Sequence, residues 1–191
     1  MRIAIIGQRD FGKAALDAFL ARGHGVAGVF CAPEKPASVP DPLRLAAQEY
    51  RIPVHQLASL KTEQAREILR SLDVDLGIMA YVLQFVPQDL TTIPRHGMIQ
   101  SHPALLPRYR GPSSISVPII RGDTRTGLSI FRPTDGLDEG PVILQKETPI
   151  GPDDTLGSLY FDRLFPMGID ALLEAAELVV SRSAVERAQD A

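Results

Sequence analysis

The sequence predicts an α/β fold in which a mostly parallel, twisted sheet carries helices on both faces. Over residues 1–80, apolar stretches typical of buried strands alternate with stretches of helical periodicity. Such alternation indicates parallel strands joined by crossover helices. In the second half, two further apolar stretches are separated by the short loop "DGLDEG", a spacing that predicts an antiparallel strand pair.

The first half begins with a predicted strand at "RIAIIG" and a helix at "FGKAALDAFLARG", where Phe11, Ala15 and Phe19 recur at helical spacing. The elements that follow are strand "GVAGVFC", helix "PLRLAAQEY", strand "IPVHQL", helix "TEQAREILRSL" and strand "VDLGIMA". Asp41 and Thr62 are expected to cap the two helices. This order is Rossmann-like, and ligands in such sheets bind beyond the carboxyl ends of the strands.

The second half begins with a predicted strand at "GMIQSH" and a helix at "PSSISVPIIRG", capped by Ser113 or Ser114. The antiparallel pair is "TGLSIFRPT" with "PVILQKETPI". A long helix then starts at Asp153 or Asp154, and Pro166 should kink or break it. We expect a catalytic domain over residues 1–180 and a tail or linker over 181–191.

Composition narrows the range of functions. The net charge of −3 and pI of about 5.8 argue against nucleic acid binding over the whole surface. The single cysteine, Cys31, excludes an internal disulfide. No apolar run approaches the ~20 residues that span a membrane, so we expect a cytoplasmic protein.

Two kinds of bound group are not expected. The stretch "GQRDFG" lies where a dinucleotide fingerprint belongs, but Arg9 stands where a glycine must let the backbone approach a pyrophosphate. We therefore predict no nicotinamide cofactor. None of the four histidines has metal-ligand spacing, and we predict no metal site.

The stretch "IQSHPALLPRYRG" contains the candidate reactive histidine. Gln100 and His102 lie two positions apart on a predicted strand and therefore share one face, and Pro103 forces His102 into an extended conformation. A carboxylate from "PTDGLDEG" could orient the imidazole and stabilise its charged form. The residues alone leave alternatives open, namely a hydrogen-bonded core histidine and solvated turn carboxylates at Asp135, Asp138 and Glu139.

Together, "SHPALLPRYRG" and "DGLDEG" resemble the signature of the folate-dependent formyltransferases, an Asn-x-His followed by "SLLP", a glycine and an Asp-x-Gly. The resemblance runs from "RIAIIGQRDFG" to "LFPMGIDALLEAAELV". Within this family, the chain most resembles the hydrolase domain of 10-formyltetrahydrofolate dehydrogenase and the N-terminal domains of methionyl-tRNA formyltransferases. The resemblance implies 10-formyltetrahydrofolate as formyl donor.

The resemblance also implies roles for individual residues. His102 and Asp138 match the family's catalytic pair, and Gln100 stands at the position of the family's asparagine. The implied folate-binding residues are Met79, Tyr81, Val82, Leu83, Phe85 and Val86, with Thr134, Asp135, Gly136 and Leu137 from the loop that closes over the folate. The implied acceptor-side or loop residues are Gln8, Phe11, Pro107, Arg108 and Gly111.

Two features depart from the family pattern. Glutamine at position 100 keeps an amide donor but reaches about one methylene further than asparagine. The chain stops at Ala191, where many relatives continue into a C-terminal domain that helps to bind the acceptor. We therefore expect a fragment of a longer protein rather than a naturally short enzyme.

The favoured activity is transfer of the formyl group of 10-formyltetrahydrofolate to an amine. The alternative is hydrolysis to tetrahydrofolate and formate, and a third hypothesis is a folate-binding domain that has lost activity through Gln100. The acceptor could be transfer RNA, an amino sugar, a hydroxylated ornithine or a purine precursor. A basic rim of Arg108, Arg110 and Arg121 could bind phosphates, although a solvated loop and helix end is the favoured explanation of these charges.

Overall fold

The structure is a computed structural model that describes residues 1–190, and the chain divides into two compact units, Met1–Ile99 and Gln100–Ala191. The elements of the first unit are β1 Arg2–Gly7, α1 Arg9–Ala21, β2 Gly25–Cys31, α2 Pro42–Glu49, β3 Val54–Gln56, α3 Glu63–Ser71, β4 Leu76–Ala80 and α4 Gln88–Thr91. Strand β5, Met98–His102, contains the boundary. The elements of the second unit are α5 Ser116–Ile120, β6 Arg125–Phe131, β7 Val142–Pro149, α6 Leu156–Leu159, a π-helical turn Tyr160–Leu164 and α7 Phe165–Val180.

Within residues 1–190 the strands form a seven-stranded sheet in the order β3-β2-β1-β4-β5-β6-β7. Strands β1, β2, β3 and β4 pair in parallel in the first unit. In the second unit, β6 runs antiparallel to both β5 and β7. The mixed sheet confirms the predicted Rossmann-like α/β class, including the antiparallel pair.

The carboxyl end of β1 requires a glycine. A Cβ at Gly7 would lie 2.1 Å from the carbonyl oxygen of Ala80, so β1 and β4 could not lie this close together with any other residue there. The neighbouring Gln8 N–H donates to that same carbonyl oxygen at 3.3 Å. Close pairing of β1 with β4 therefore fixes where the chain leaves the sheet and enters α1.

Asp41 caps α2 as predicted, since its Oδ1 accepts from the Leu43 N–H at 3.0 Å. Its buried carboxylate also accepts from the N–H of Arg9, the first residue of α1, at 3.0–3.1 Å. This helix start is where the phosphates of a dinucleotide bind in related sheets. Here it already faces an anion that belongs to the chain itself.

Other helix boundaries differ from the predicted ones. The predicted Thr62 cap is confirmed, but Ser113 and Ser114 do not cap α5, which begins at Ser116 without a side-chain cap. Ser113 has a φ of 64°, and a left-handed residue cannot precede the helix as an extended N-cap. The short helix α4 was not predicted, because four residues carry no readable periodicity.

The C-terminal helical region begins later than predicted. Thr155, rather than Asp153 or Asp154, caps α6, with Thr155 and Ser158 in a reciprocal capping box. Asp154 instead accepts from the Gly151 N–H at 2.6 Å and from the Ser158 hydroxyl at 2.8 Å. The predicted break near Pro166 occurs as the π-helical turn that immediately precedes it, because proline clashes with the carbonyl four residues back.

The buried residues of each unit are mostly aliphatic. In the first unit, β1 and β4 are almost entirely buried, and in the second unit α7 buries its alanines together with Leu172 and Leu173. No helix found in residues 1–190 combines the length and the apolar character needed to cross a membrane.

Candidate active site

The site is described from the second unit, where β5 ends at His102. The imidazole is buried, with 6% of the residue exposed. Its Nε2 lies 2.8 Å from the carbonyl oxygen of Tyr109. Because a carbonyl only accepts hydrogen bonds, Nε2 carries a proton and donates it to this contact.

The other ring nitrogen of His102 faces a carboxylate. Nδ1 lies 3.3 Å from Oδ2 of Asp138, and the two side chains are 8% and 9% exposed. Acceptor oxygens therefore lie near both ring nitrogens of His102. The hypothesis that Asp138 is a solvated turn residue does not fit this placement.

Backbone geometry brings Asp138 to the histidine. Asp138 itself has a φ of 52°, in the left-handed region that residues with a Cβ rarely adopt. Besides contacting His102, its Oδ2 accepts a hydrogen bond from the Gly111 N–H at 2.8 Å. Gly111 has a φ of 80°, which glycine adopts without strain, so the N–H is aimed at the carboxylate at no steric cost.

Two strand side chains hold the segment that follows His102. The Ser129 hydroxyl donates to the Ala104 carbonyl at 2.7 Å and accepts from the Leu106 N–H at 3.0 Å. The Gln145 amide donates to the Leu106 carbonyl and to the Ser129 hydroxyl at 2.8 and 2.9 Å. Antiparallel pairing of β6 with β7 sets Ser129 opposite Gln145, so the sheet itself supports the loop.

Gln100 lies on β5 opposite Phe131, and His102 lies opposite Ser129. The two residues share a face of the strand, as the period-two pattern predicts. No side chain or backbone group in residues 1–190 hydrogen-bonds to the Gln100 amide, and the residue is half-buried.

The predicted folate-binding residues divide between the two units. In the first unit, Met79 and Val86 are buried in the apolar core and Val82 packs against it, whereas Tyr81, Leu83 and Phe85 are 46%, 66% and 48% exposed. In the second unit, Thr134 and Gly136 are half-buried and Asp135 and Leu137 are exposed, all within the loop that contains Asp138. Their role in folate binding stays a prediction.

The predicted acceptor-side residues also occupy different places. In the first unit, Gln8 is half-buried and Phe11 is buried. In the second unit, Pro107 borders a cavity of about 370 Å³ whose walls include β7 and residues 187–190. Arg108 pairs with Asp123 at 2.9 Å, so one charge of the suggested basic rim already has a partner.

Several supporting residues escaped the sequence analysis. In the sequence, Ser129 and Gln145 look like ordinary strand residues, so nothing marks them as supports of the site. Tyr109 contributes only its backbone carbonyl, which every residue type has. Gln189 lies in the segment expected to be a tail or linker, yet its side chain hydrogen-bonds to the Asp138 loop at 2.7–2.8 Å. Alternating polarity could have indicated that Gln145 faces one side of its strand, but not which loop it meets.

Fold and site together define a Rossmann-like α/β protein with a buried histidine–aspartate pair beyond a strand end. The sequence profile described as formyl transferase matches residues 1–175. The chain therefore belongs to the formyl transferase family, and the suspected family is confirmed.

Known proteins similar to the chain fit this assignment. Mitochondrial 10-formyltetrahydrofolate dehydrogenase of Mus musculus is 39% identical over 189 residues, which cover 96% of this chain and 20% of the dehydrogenase. Methionyl-tRNA formyltransferase of Marinobacter nauticus is 41% identical over 182 residues, covering 93% of this chain and 58% of that enzyme. The chain thus spans only part of the length of these relatives.

A solved structure agrees with the fold. Phosphoribosylglycinamide formyltransferase from Anaplasma phagocytophilum superimposes with a TM-score of 0.81 at 25% identity, covering 95% of this chain and 88% of that one. The three relatives differ in the acceptor or reaction that their names state. Membership of the formyl transferase family therefore does not by itself specify the acceptor.

Proposed function

We propose that the chain transfers the formyl group of 10-formyltetrahydrofolate to an amine. The observation that carries the proposal is the buried contact between His102 and Asp138, 3.3 Å apart at the end of β5. The unpaired Gln100 amide on the same strand face adds hydrogen-bond donors beside it. Formyl transfer requires hydrogen-bond donors for the oxyanion that forms on the formyl oxygen and a base that accepts the proton of the amine.

The reaction begins when the amine nitrogen attacks the formyl carbon and the carbonyl electron pair moves to oxygen. Hydrogen-bond donors aimed at that oxyanion contribute about 3 kcal/mol each in comparable sites. In this chain the donors are the Nε2–H of His102 and the amide of Gln100. Since Nε2–H donates to the Tyr109 carbonyl in this structure, the formyl oxygen takes the place of that carbonyl as acceptor.

Asp138 has two tasks in this scheme. Its Oδ2 contacts the imidazole of His102 and accepts from the Gly111 N–H, and these two contacts orient the carboxylate. Its other oxygen takes the proton that the attacking amine loses, directly or through a water. Collapse of the oxyanion then breaks the bond to N10 of the folate, N10 leaves with the proton that Asp138 took from the amine, and the formamide product and the ionised carboxylate remain.

The exposed residues Tyr81, Leu83 and Phe85 and the loop residues Thr134 to Leu137 are proposed to contact the folate. The family relatives support transfer RNA and a glycinamide ribonucleotide as acceptor classes, and a small amine is equally compatible. Membership of the family supports formyl-folate as the co-substrate.

Hydrolysis is the second candidate. It is favoured by the similarity to 10-formyltetrahydrofolate dehydrogenase and by Gln100, which replaces the asparagine of the family pattern. A carboxylate that accepts a proton from an amine can accept one from water. The products would be formate and tetrahydrofolate.

The test is turnover of 10-formyltetrahydrofolate with and without a panel of amine acceptors. Rapid formate release without an amine supports hydrolysis, and dependence on an amine supports transfer. His102→Ala and Asp138→Ala should each lower turnover by about 100-fold or more while the chain stays folded. His96→Ala and Asp153→Asn are matched controls that should keep turnover; near-normal turnover in either site variant would contradict the assignment.

A further inference from the structure

Residues Glu186–Gln189, which we name the C-terminal strap, lie against the loop that contains Asp138. The backbone of Arg187 pairs with Val142 at the start of β7, and both N–H to carbonyl distances are 2.8 Å. The side chain of Glu186 accepts from Nε of Arg132 at 2.8 Å. Val142 and Arg132 flank the loop at its two ends, so the strap contacts both ends of it.

Gln189 contacts the interior of the same loop. Its amide nitrogen donates to the carbonyl oxygens of Asp138 at 2.8 Å and Gly140 at 2.7 Å. Its amide oxygen accepts from Nε of Arg110 at 3.0 Å. The residue is half-buried between exposed neighbours, and both amide hydrogens are used.

These contacts join the loop to residues 109–111, whose backbone contacts both His102 and Asp138. Arg110 lies between Tyr109, whose carbonyl accepts from His102, and Gly111, whose N–H donates to Asp138. On the other side, the loop places Asp138 at a φ of 52°, a conformation that needs support from outside because a Cβ disfavours it. Gln189 provides that support at the carbonyl of Asp138 itself.

We propose that Gln189 is a positioning residue that acts through Asp138, and that the strap holds the loop in its reactive conformation. The inference rests on the proposed function for its catalytic consequence, but the contacts between the strap and the loop are independent of that function. Positioning errors near 1 Å can lower rates by about 100-fold. Loss of the two donors should therefore lower kcat far more than it alters KM.

Gln189→Glu is the sharpest variant, because it preserves size and the contact with Arg110 but replaces two donors with an acceptor. We expect kcat to fall roughly 10- to 100-fold, with a smaller rise in KM for 10-formyltetrahydrofolate because the same loop supplies the proposed folate contacts. Gln64→Glu, the same change at an exposed position on α3, should leave kcat unchanged. Wild-type kcat in Gln189→Glu overturns the proposal.

A double-mutant cycle separates positioning from a general structural role. In an Asp138→Asn background, Gln189→Glu should change kcat by less than about 2-fold, because the group it positions is already altered. An equal fold-loss in both backgrounds overturns the proposal. Gln189→Ala, which removes the donors without adding charge, should repeat the result.

Hydrogen exchange tests the strap without relying on turnover. Backbone amides of residues 133–141 should exchange faster in Gln189→Glu than in the wild type or Gln64→Glu, while α7 exchanges at the same rate in all three. Equal exchange in the loop overturns the role of the strap. If the wild-type chain does not turn over 10-formyltetrahydrofolate with either an amine or water as acceptor, the proposed function is refuted. The exchange measurement then still tests whether the strap stabilises the loop.

Discussion

Gly111→Ala, which adds one methyl group, should lower the turnover of the chain more than its loss of stability explains. The residue has a φ of 80°, and its N–H donates to Oδ2 of Asp138 at 2.8 Å. Gly111→Ala keeps the N–H but places a Cβ on a left-handed backbone. The substitution therefore challenges the geometry that aims the N–H at the carboxylate, without removing any hydrogen-bonding group.

Two effects determine how far Gly111→Ala lowers the free energy of unfolding: the backbone conformation and the contact of the new Cβ. A left-handed conformation costs a residue with a Cβ about 1–2 kcal/mol. The new Cβ would lie 3.1 Å from Cδ2 of Leu137, but that side chain is 64% exposed and can rotate away. We thus expect the free energy of unfolding to fall by about 1–2 kcal/mol, and the hydrogen bond to Asp138 to be weakened wherever the backbone relaxes.

Gly122→Ala is the matched control. Gly122 has a φ of 72°, and a Cβ there would meet nothing within 4 Å. Urea unfolding should show a similar loss of about 1–2 kcal/mol for both variants. Turnover of 10-formyltetrahydrofolate should fall by about 10-fold or more for Gly111→Ala alone, which corresponds to about 1.4 kcal/mol in the activation barrier.

The reasoning would be refuted by equal turnover in the two variants. That result would mean that the Gly111 N–H does not orient Asp138 for catalysis. A loss of stability in Gly122→Ala without one in Gly111→Ala would refute the backbone argument separately.

Two further predictions concern groups outside the site. The side chain of Arg163, with the Gly151 N–H and the Ser158 hydroxyl, lowers the pKa of Asp154 from 3.8 to about 2. A carboxyl whose pKa is depressed on folding stabilises the chain above its unfolded pKa and loses that effect as the pH falls through its folded pKa. Asp154→Asn should therefore be less stable than wild type in urea unfolding near pH 6, with the gap narrowing from about pH 4 towards pH 2; a constant gap contradicts the linkage. Burial raises the pKa of the Cys31 thiol to about 11, and nearby Asp41 and Glu34 add to the shift. Thiol reagents at about pH 8 should thus label Cys31 only in urea, and rapid labelling of the native chain would show that the thiol is accessible.

Local sequence patterns were sufficient wherever one element depends on its own residues. Strand β1 is a run of apolar residues that is buried as predicted, and Asp41 and Thr62 cap their helices because a capping side chain acts within three residues. The assignments of Ser113, Ser114, Asp153 and Asp154 as caps were wrong for a different reason. Several polar residues compete near those helix starts, and the backbone conformation chosen by the surrounding loop decides which one caps.

The histidine, the aspartate and their family resemblance could be found in the sequence, since both residues stand in recognisable motifs. The sequence alone could not show that Nδ1 of His102 meets Asp138 while Nε2 meets the carbonyl of Tyr109. A backbone carbonyl is identical at every position, so no residue type marks the one that accepts this proton. The same holds for Ser129 and Gln145, which support the loop only because β6 and β7 pair in this register.

What the sequence by itself determined is the α/β class, the order of the main elements and the identity of the candidate catalytic residues, because these depend on periodicity and short motifs. Only the tertiary structure decided that residues 186–189, polar and without an apolar stripe, fasten the loop around Asp138. The physical reason is that this segment is held by hydrogen bonds to backbone carbonyls and amides distant in the chain. Such contacts form only when the loop, β7 and the segment after α7 have all folded, and no local sequence pattern predicts contacts between residues so far apart in the chain.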